Sequence, residues 1–400
     1  MIGKSGWRIR KFLFSLLIYM GFLSPLMSQT SVSGVINKYG RVSALGTDYV
    51  IIEDRSQFEQ FAKDDTVLLI QMKGVRITTI DDNSYGSLQS AYGNPGEHEF
   101  LIIQAVESGT KKIVFRNNII NSFSVDGALQ IVRIPSYNSA VVNNADLTCM
   151  KWDSIGKIGG VLSMIVGRSL SLNRNIDVTG MGFSGGAISE GTGLCTGSDL
   201  TNLDKYAFSS GFTNSGIKGE SPVIRGWLAL SDFPPILPGY AKGKGANLTG
   251  GGGGNGRFSG GGGGSNYGAG GKGGLENSDC FPLYVRADGG RGGIQLKLTP
   301  LDPGFFLGGG GGSSSYLLGS APSPGGNGGG IIIIISESIE GNGKSIISNG
   351  TSASQASSSA GSGGGGGGGS VTIYLQSFLP SVLSISANGK SNYLAEFSSI

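Results

Sequence analysis

Apolar positions between residues 29 and 150 fall in short runs rich in β-branched residues, and turn residues separate these runs. Five runs have the content and length of strands: Tyr49–Ile52, Thr66–Met72, Phe100–Ile103, Lys112–Phe115 and Ala128–Ile134. Ser108 and Gly109, between the third and fourth runs, predict a hairpin. Only Ser56–Lys63 has helical spacing, with Phe58 and Phe61 on one face. The pattern predicts a small all-β module, either a barrel or a sandwich.

After Trp152 the pattern becomes repetitive. Three segments of 20 residues each start just after a Gly-Gly pair and end on a glycine: Val161–Gly180, Ile331–Gly350 and Ser370–Gly389. They align without gaps and place Ile176, Ile346 and Ile385 at the same offset. Each unit is expected to contain a strand, a polar middle and a second short strand before a turn.

Such a unit exposes a hydrophobic edge and needs neighbours to bury it. We therefore expect either the rungs of a β-solenoid or strand pairs in a β-sandwich. The expected repeat core contains the three equivalent isoleucines Ile176, Ile346 and Ile385, together with Ile331, Ile333 and Ile335 of one aliphatic run.

Glycine runs interrupt these units at residues 250–264, 308–312 and 363–369. Glycine supplies 74 of 400 residues, well above the usual share of about 7%, so its role decides the nature of this half of the chain. The runs are either flexible spacers, since ordering glycine costs much backbone entropy, or threefold extended helices packed backbone to backbone, for the steric reason that collagen needs glycine. Bounding aromatic residues favour order for the first two runs, while 363–369 stays open between the alternatives.

The predicted organisation is a signal peptide at 1–28, a β-module at 29–150 and a glycine-rich β-repeat domain at 151–400. Within the last domain, residues 184–245 have irregular Pro, Gly, Ser and Asn content and are expected to form a long surface excursion. The composition does not predict a disordered chain, because 38% of residues are hydrophobic and disorder combines low hydrophobicity with high net charge.

The first residues have the layout of a secretory signal peptide. Lys4, Arg8, Arg10 and Lys11 precede the apolar run Phe12–Leu26, which is short for a membrane anchor of about 20 residues. The formal net charge of +3 includes these four cations, so the remainder carries −1. Without clustered Lys and Arg we expect no nucleic-acid partner, and without a second long apolar run no membrane span in the mature, exported chain.

Three cysteines, Cys149, Cys195 and Cys280, are present. In an exported protein they allow one disulfide and one free thiol, and Cys149–Cys195 is the pairing we expect. The single histidine, His98, lies between Glu97 and Glu99, and no C-x-x-C spacing occurs. These features argue against a zinc site and favour a lone surface histidine.

Other candidate chemistry is incomplete. Gly271-Lys272 is followed by Gly273, where a phosphate-binding loop needs Ser or Thr. The loop Asp81–Gly86 resembles a calcium loop, but Tyr92 stands where the bidentate Glu belongs. The carboxylate pairs at residues 64–65 and 53–54 lie at strand and helix ends, where acids are ordinary. We therefore expect neither an enzyme nor a bound cofactor or metal.

Several segments occur in a recognisable order: Asp65–Gly74, Val132–Tyr137, Leu147–Cys149 with Trp152-Asp153, Gly159–Leu162 and Asn175–Phe183. Together they resemble the N-terminal region of large glycine-rich exported surface proteins of Bacteroidota, many of which carry a C-terminal sorting domain for type IX secretion. The resemblance implies a surface-exposed, non-catalytic protein. No sorting domain is recognisable in this sequence, so type IX export does not follow from the resemblance.

The repeat units also look like rungs of haemagglutinin-type β-helices in bacterial adhesins, and the glycine runs resemble more loosely the glycine-rich extracellular region of the anaplastic lymphoma kinase receptor family. We expect a bacterial cell-surface structural or adhesion protein, with surface glycans or other surface proteins as partners. One alternative is a carbohydrate-binding or polysaccharide-processing β-helix protein, which needs a groove lined by aromatics such as Trp227, Phe305 and Tyr316. Another is a ligand-binding glycine-rich ectodomain.

Overall fold

The computed structural model describes residues 29–91, 94–191, 205–209, 211–212, 215–224, 241–256, 259–275, 288–296, 304–317, 323–354, 361–377 and 382–390. The predicted signal peptide, Cys195, Cys280 and Trp227 lie outside these residues. Within them the chain consists mainly of strands, so the all-β prediction is confirmed.

The strands of the first half are β1 (Thr30–Val35), β2 (Lys38–Leu45), β3 (Tyr49–Ile52), β4 (Thr66–Gln71), β5 (Val75–Ile77), β6 (Leu88–Ala91), β7 (His98–Glu107), β8 (Lys112–Phe115), β9 (Leu129–Ile134), β10 (Ser136–Tyr137) and β11 (Ala140–Thr148). The second half contributes β12 (Val161–Leu172), β13 (Ile176–Asp177), β14 (Ser189–Gly191), β15 (Ser315–Leu317), β16 (Ile331–Glu340), β17 (Lys344–Ile347), β18 (Ser370–Leu375) and β19 (Leu383–Ser386). A short helix, α1, spans Arg55–Phe58, and Val125–Gly127 form a 3-10 turn.

A closed antiparallel barrel forms from β2, β3, β8, β7, β4 and β9 in that order. Because side chains alternate along a strand, Val67 and Leu69 of β4 enter the barrel interior, whereas Leu68 and Ile70 point outward into a second cluster. The predicted hairpin is present as β7 and β8.

Helix α1 is shorter than the predicted segment 56–63. The Asp54 side chain accepts a hydrogen bond from the N–H of Gln57 and caps its start. From Gln60 onward the N–H groups bond to residues three positions back, as Phe61 does to Phe58, so the chain tightens and leaves the helix. Phe58 and Phe61 both reach the barrel interior, as their spacing predicts.

The repeat units stack in a nine-stranded curled parallel sheet. Val161 pairs with Ile331, which pairs with Ser370. In the second part of the unit, Ile176 pairs with Ile346, which pairs with Ile385. This register is the one given by the gap-free sequence alignment, and stacking in parallel register is the arrangement of solenoid rungs.

Burial differs between the rungs. Ile176, Ile346, Ile331 and Ile333 are fully buried, and Ile335 is half-buried. Ile385 is 54% exposed, so its expected place in the core is wrong for the described residues. The reason is positional, because its strand β19 pairs with β17 on one side.

The five-isoleucine run of β16 is buried on both faces of the sheet. Ile332 and Ile334 pack inside the curl with Leu162. Ile331 and Ile333 face the outer side of the barrel, where Leu68 lies in the same cluster. A strand covered on both faces requires a continuous apolar run, which explains the sequence of β16 and joins barrel and sheet through one core.

The sheet boundary does not coincide with the domain boundary drawn at residue 150. Strands β1, β10 and β11 lie within 29–150, yet β1 pairs with β11 and both β10 and β11 pair with β12. The barrel itself occupies only Lys38–Ile134. The local sequence predicts that a segment forms a strand, but which strand it pairs with depends on contacts with residues far away in the chain.

Candidate functional site

Gly308–Gly312 runs through the centre of the glycine-rich half. Its N–H groups donate to three neighbouring segments in turn, so that N–H groups three residues apart bond to the same segment. The pairs are Gly308 with Gly329 and Gly311 with Gly326 at 2.9 Å, Gly309 with Ser265 and Gly312 with Gly262 at 2.8 Å, and Gly310 with Glu220 at 2.9 Å. Recurrence at every third residue is the geometry of an extended threefold helix.

The carbonyl groups of the same run accept from three further segments. Phe183 donates to Gly308, and Gly186 donates to Gly311. Gly367 donates to Gly309, Gly364 donates to Gly312, and Gly251 donates to Gly310. The five distances lie between 2.8 and 3.2 Å. Six segments therefore surround the run, and all of its main-chain donors and acceptors are bonded. This satisfies the buried backbone, which would otherwise be costly. We call these seven packed segments the polyglycine bundle.

Close approach of the backbones explains why the central run is glycine. A methyl group on Gly310 would lie 1.9 Å from the carbonyl oxygen of Ser184, and one on Gly312 would lie 1.9 Å from that of Gly252. Real Cβ atoms do not approach other atoms within 3.0 Å. A side chain in the run would therefore separate the segments and break their hydrogen bonds.

The other predicted runs join the same bundle. Gly262 donates to Gly252, Gly264 donates to Gly365, and Gly326 donates to Gly364. The question left open for 363–369 is thus answered by the structure, in which this run is ordered. The threefold packing predicted for the earlier runs is also present, while Phe258, one of their bounding aromatics, lies outside the described residues.

The expected surface excursion at 184–245 is wrong for residues 215–224 and 241–245, which are buried or half-buried, although Ile188, Lys205 and Ser209 are exposed as expected. Ser215, Lys218 and Ser221 are almost fully buried, and the main chain from Gly216 to Glu220 forms one side of the bundle. Its small residues, which suggested an exposed loop, instead let its backbone pack closely against neighbouring backbone.

A buried ion pair joins the bundle to the barrel. Glu220 Oε1 accepts from Lys73 Nζ at 2.8 Å and from Trp152 Nε1 at 3.0 Å, while Oε2 accepts from the N–H of Ser184 at 3.0 Å. The Lys73 and Glu220 side chains are 11% and 15% exposed. Because Lys73 follows β4 and Trp152 precedes β12, one carboxylate connects three parts of the fold.

Aromatic rings cover this ion pair. The Trp152 and Phe183 rings meet edge to face with centroids 5.7 Å apart. Lys73 Nζ lies 5.1 Å from the centroid of Phe183, a distance at which a cation is attracted to the ring. Exclusion of water by these rings strengthens the attraction between the two charges. We call Lys73, Trp152, Phe183 and Glu220 the junction cluster.

A second contact holds the loop that resembles a calcium site. Tyr206 is buried and stacks on Tyr85 with ring centroids 6.1 Å apart. Arg291 lies 4.5 Å above the Tyr206 ring and donates to Asn83 Oδ1 at 2.6 Å. Asp81 Oδ1 accepts from the N–H of Tyr206 at 2.6 Å. The loop oxygens thus bind groups of the protein itself.

Lys218 lies beneath these rings and is fully enclosed. Its Nζ donates to the carbonyl oxygen of Tyr206 at 2.6 Å and lies 4.3 Å from the Tyr85 ring centroid. Burial is the largest influence on its pKa and lowers it well below the usual value, while the charge of Asp81 acts in the opposite direction. Between a lowered folded pKa and the unfolded pKa, the folded protein binds fewer protons, so stability rises with pH.

This sign gives a testable pH dependence. We expect the free energy of unfolding to rise, relative to that of Lys218→Met, as the pH increases from the folded pKa towards the unfolded value of about 10.4. Urea denaturation of both proteins at a series of alkaline pH values measures the difference, in which the titration of shared tyrosines cancels. A difference that stays constant throughout the series would contradict this assignment.

The remaining acidic candidates are separated. Asp64 pairs with Arg116, and Asp65 pairs with Arg133 at 2.7 Å. Glu53 pairs with Arg41 at 2.7 Å, and Asp54 caps α1. Each carboxylate thus has its own intramolecular partner.

His98 and Cys149 also differ from expectation. His98 is half-buried at the start of β7, with its ring centroid 4.0 Å from that of Phe305. Phe305 is itself buried, so it does not line the expected groove. Cys149 is a free thiol inside the repeat core, so the expected pairing with Cys195 is not formed there. Burial among aliphatic side chains raises the pKa of Cys149, which disfavours its thiolate.

One open cleft carries several polar side chains. Lys63, Asp64, Gln104 and Arg116 line a space of about 500 Å³. Asp64 has a φ of +71°, a left-handed conformation that is uncommon outside glycine. This conformation directs its carboxylate to Arg116, with Oδ1 and Nη2 2.5 Å apart.

Sequence reasoning missed Lys73, Lys218 and Glu220. A signal was available for the last two, since they flank Gly219 in a segment of otherwise small and mostly uncharged residues. Isolated charges in such a segment indicate buried partners rather than a solvated loop. For Lys73, which follows a buried strand, the local pattern gives no sign of the partner.

The described residues show neither a metal cluster nor a membrane-spanning helix. They contain no group of three or more His, Cys, Asp or Glu side chains placed to hold a metal. In that same part of the chain, no helix is long and apolar enough to cross a membrane.

Comparison with known proteins gives little. No protein-family profile matches the chain, and no curated protein is significantly similar to it. A structural match to the tailspike protein gp49 from Pseudomonas phage LKA1 covers 38% of this chain and 26% of the tailspike chain, with 9% sequence identity and a TM-score of 0.17. A second match, to the Gp54 tailspike of Acinetobacter baumannii bacteriophage AP22 in complex with A. baumannii capsular saccharide, covers 36% of this chain and 24% of the tailspike chain. The sequence identity is 8% and the TM-score is 0.16. The matched region spans about a quarter of each tailspike.

Proposed function

We propose that this protein is an exported, non-catalytic structural or adhesion protein of a bacterial cell surface. The observation that carries the proposal is the central run of the polyglycine bundle, whose main-chain groups are all bonded to six neighbours. The bundle packs backbone against backbone. What it supplies is rigidity, which holds the barrel and the parallel sheet in a fixed arrangement.

The junction cluster supports the same role. Glu220 belongs to the bundle, Lys73 to the barrel end and Trp152 to the approach to the repeat sheet, so displacement of any one part breaks a buried contact. A rigid connection of this kind transmits load between modules without hinge motion. Such transmission suits a protein that links a cell to its surroundings.

Surface labelling of the source cells tests this function. Intact cells are treated with a membrane-impermeant amine reagent, and modification is read by mass spectrometry at the exposed Lys272. The proposal expects modification before lysis and weaker attachment to surfaces by a deletion strain, with a cytosolic protein as the unlabelled control. Modification only after lysis, or unchanged attachment, would count against it.

A second candidate, carbohydrate binding, is favoured by the polar cleft. Its two cations, carboxylate and amide match the hydroxyl and carboxylate groups of an acidic sugar. A glycan array probed with the full chain tests this candidate. Binding of uronic-acid oligosaccharides that Arg116→Ala abolishes, and that exposed Arg55→Ala leaves unchanged, would favour it over a purely structural role.

A further inference from the structure

The last rung of the parallel sheet is less buried than the rungs before it. Leu162 and Ile332 are fully buried, and Val371 at the equivalent position of β18 is only half-buried. The same contrast separates Ile334 from Ile373. In the second strand, Ile346 is fully buried and Ile385 is 54% exposed. The aliphatic side chains of the last rung, which are equivalent to buried side chains of the earlier rungs, are therefore partly exposed.

The backbone of β18 is open on the same side. Its first residue, Ser370, donates its N–H to the carbonyl oxygen of Gly330, next to β16. Because successive residues of a strand direct their main-chain groups to opposite sides, Val371 and Ile373 direct theirs away from β16. In the described part of the chain, β18 pairs with β16 alone and β19 with β17 alone.

Within the described strands, this edge lacks charged residues, proline and bulges. Exposed edge strands are normally blocked by charged residues, proline or a bulge. Neither Ser370–Leu375 nor Leu383–Ser386 contains a charged residue or proline, and their pairing with β16 and β17 has no register shift. The two strands are thus uncharged and regularly paired, with Val371, Ile373 and Ile385 partly exposed, and such an edge is suited to accept another strand.

The repeat geometry indicates which strand fits. Thr351 donates its N–H to Asn327 after one rung, and Lys390 donates to Gly366 after the next, so each turn closes on the preceding glycine segment in the same way. A segment of the same type would continue the parallel ladder in register. It would also bury Ile385 as Ile346 is buried.

We propose that the edge formed by β18 and β19 is a docking site for one further repeat unit carried by a partner polypeptide. The partner segment is uncharged, has aliphatic residues at alternate positions and follows a glycine-rich stretch. It adds as a parallel strand, with main-chain bonds giving affinity and the aliphatic side chains giving register. This inference does not depend on the cell-surface role.

A peptide with the sequence of residues 363–389 serves as the probe. It is labelled with a fluorophore and titrated into the full chain, and binding is read by anisotropy. We expect saturable binding that Ile385→Lys weakens by at least about tenfold, because the docked strand would bury the introduced charge. Ile385→Leu should retain binding, and Ile120→Lys, at a barrel-loop position that is 87% exposed, should leave it unchanged.

Circular dichroism and thermal melting establish that each variant is folded, which the exposure of Ile385 leads us to expect. Absence of saturable binding to the folded wild type would overturn the proposal, as would equal binding by Ile385→Lys. Two other occupants are distinguishable. Self-association that Ile385→Lys abolishes, without peptide binding, would show a second copy at the edge. Slow hydrogen exchange at Val371 and Ile373 in the peptide-free monomer would show the chain covering its own edge. Either result would refute a partner segment.

Discussion

Replacing Gly310 with alanine is expected to lower the free energy of unfolding by about 1–3 kcal/mol, the range for forcing extra atoms into a packed interior. The added methyl group would lie 1.9 Å from the carbonyl oxygen of Ser184. Relief requires movement of a segment that is itself bonded on several sides. Urea denaturation followed by circular dichroism measures the loss.

Gly271→Ala is the matched control for this substitution. No atom lies within 4 Å of the position that its methyl group would take, and Gly271 is exposed at the margin of the bundle. Its effect should stay within about 0.5 kcal/mol, as for most surface changes. Equal effects at Gly310 and Gly271 would mean that close backbone packing is not what selects glycine in the central run.

Replacing Glu220 with alanine is expected to lower the free energy of unfolding by about 3–5 kcal/mol, the cost of breaking a buried pair on one side. The substitution leaves the Lys73 ammonium in an apolar setting and removes the acceptor of Trp152 Nε1 and of the Ser184 N–H. Chemical denaturation again gives the size of the loss.

The exposed pair formed by Arg55 and Glu59 provides the control. Its side chains are 56% and 62% exposed, so Glu59→Ala should cost no more than about 1 kcal/mol. The double variant Lys73→Met with Glu220→Met should recover much of the stability, because it removes both charges together. A loss at Glu220 no larger than that at Glu59 would contradict the role assigned to the junction cluster.

Much of the repeat sheet can be predicted from sequence because its determinants are local. Three Gly-Gly starts and a shared isoleucine offset specify the register in which Ile176, Ile346 and Ile385 pair. The continuous apolar run of β16 likewise indicates a strand buried on both faces. The exposure of a side chain depends on the strands that pack beside it. Ile385 is therefore exposed, although the equivalent Ile176 and Ile346 are buried.

The bundle could be anticipated in kind but not in its connections. Because glycine has no side chain, the runs are predicted to be able to pack closely. A run of identical glycines carries no information about which segment lies beside it. The role of residues 216–220 and the pairing of Glu220 with Lys73 depend on contacts between residues far apart in the chain. For the same reason, barrel closure and the partners of β1 and β11 were not available from local patterns.

Hydrogen exchange on the full chain tests the ordered bundle most directly. Fragments that contain Gly308–Gly312 should retain their amide hydrogens about as long as those from β16, because all five N–H groups are bonded inside the bundle. The exposed residues Gly271, Lys272 and Gly274 should exchange faster and serve as the internal comparison, whereas buried Gly273, whose N–H donates to Gly290, should be protected. Complete exchange of Gly308–Gly312 within seconds would contradict the bundle and the rigid connection that the proposed function requires.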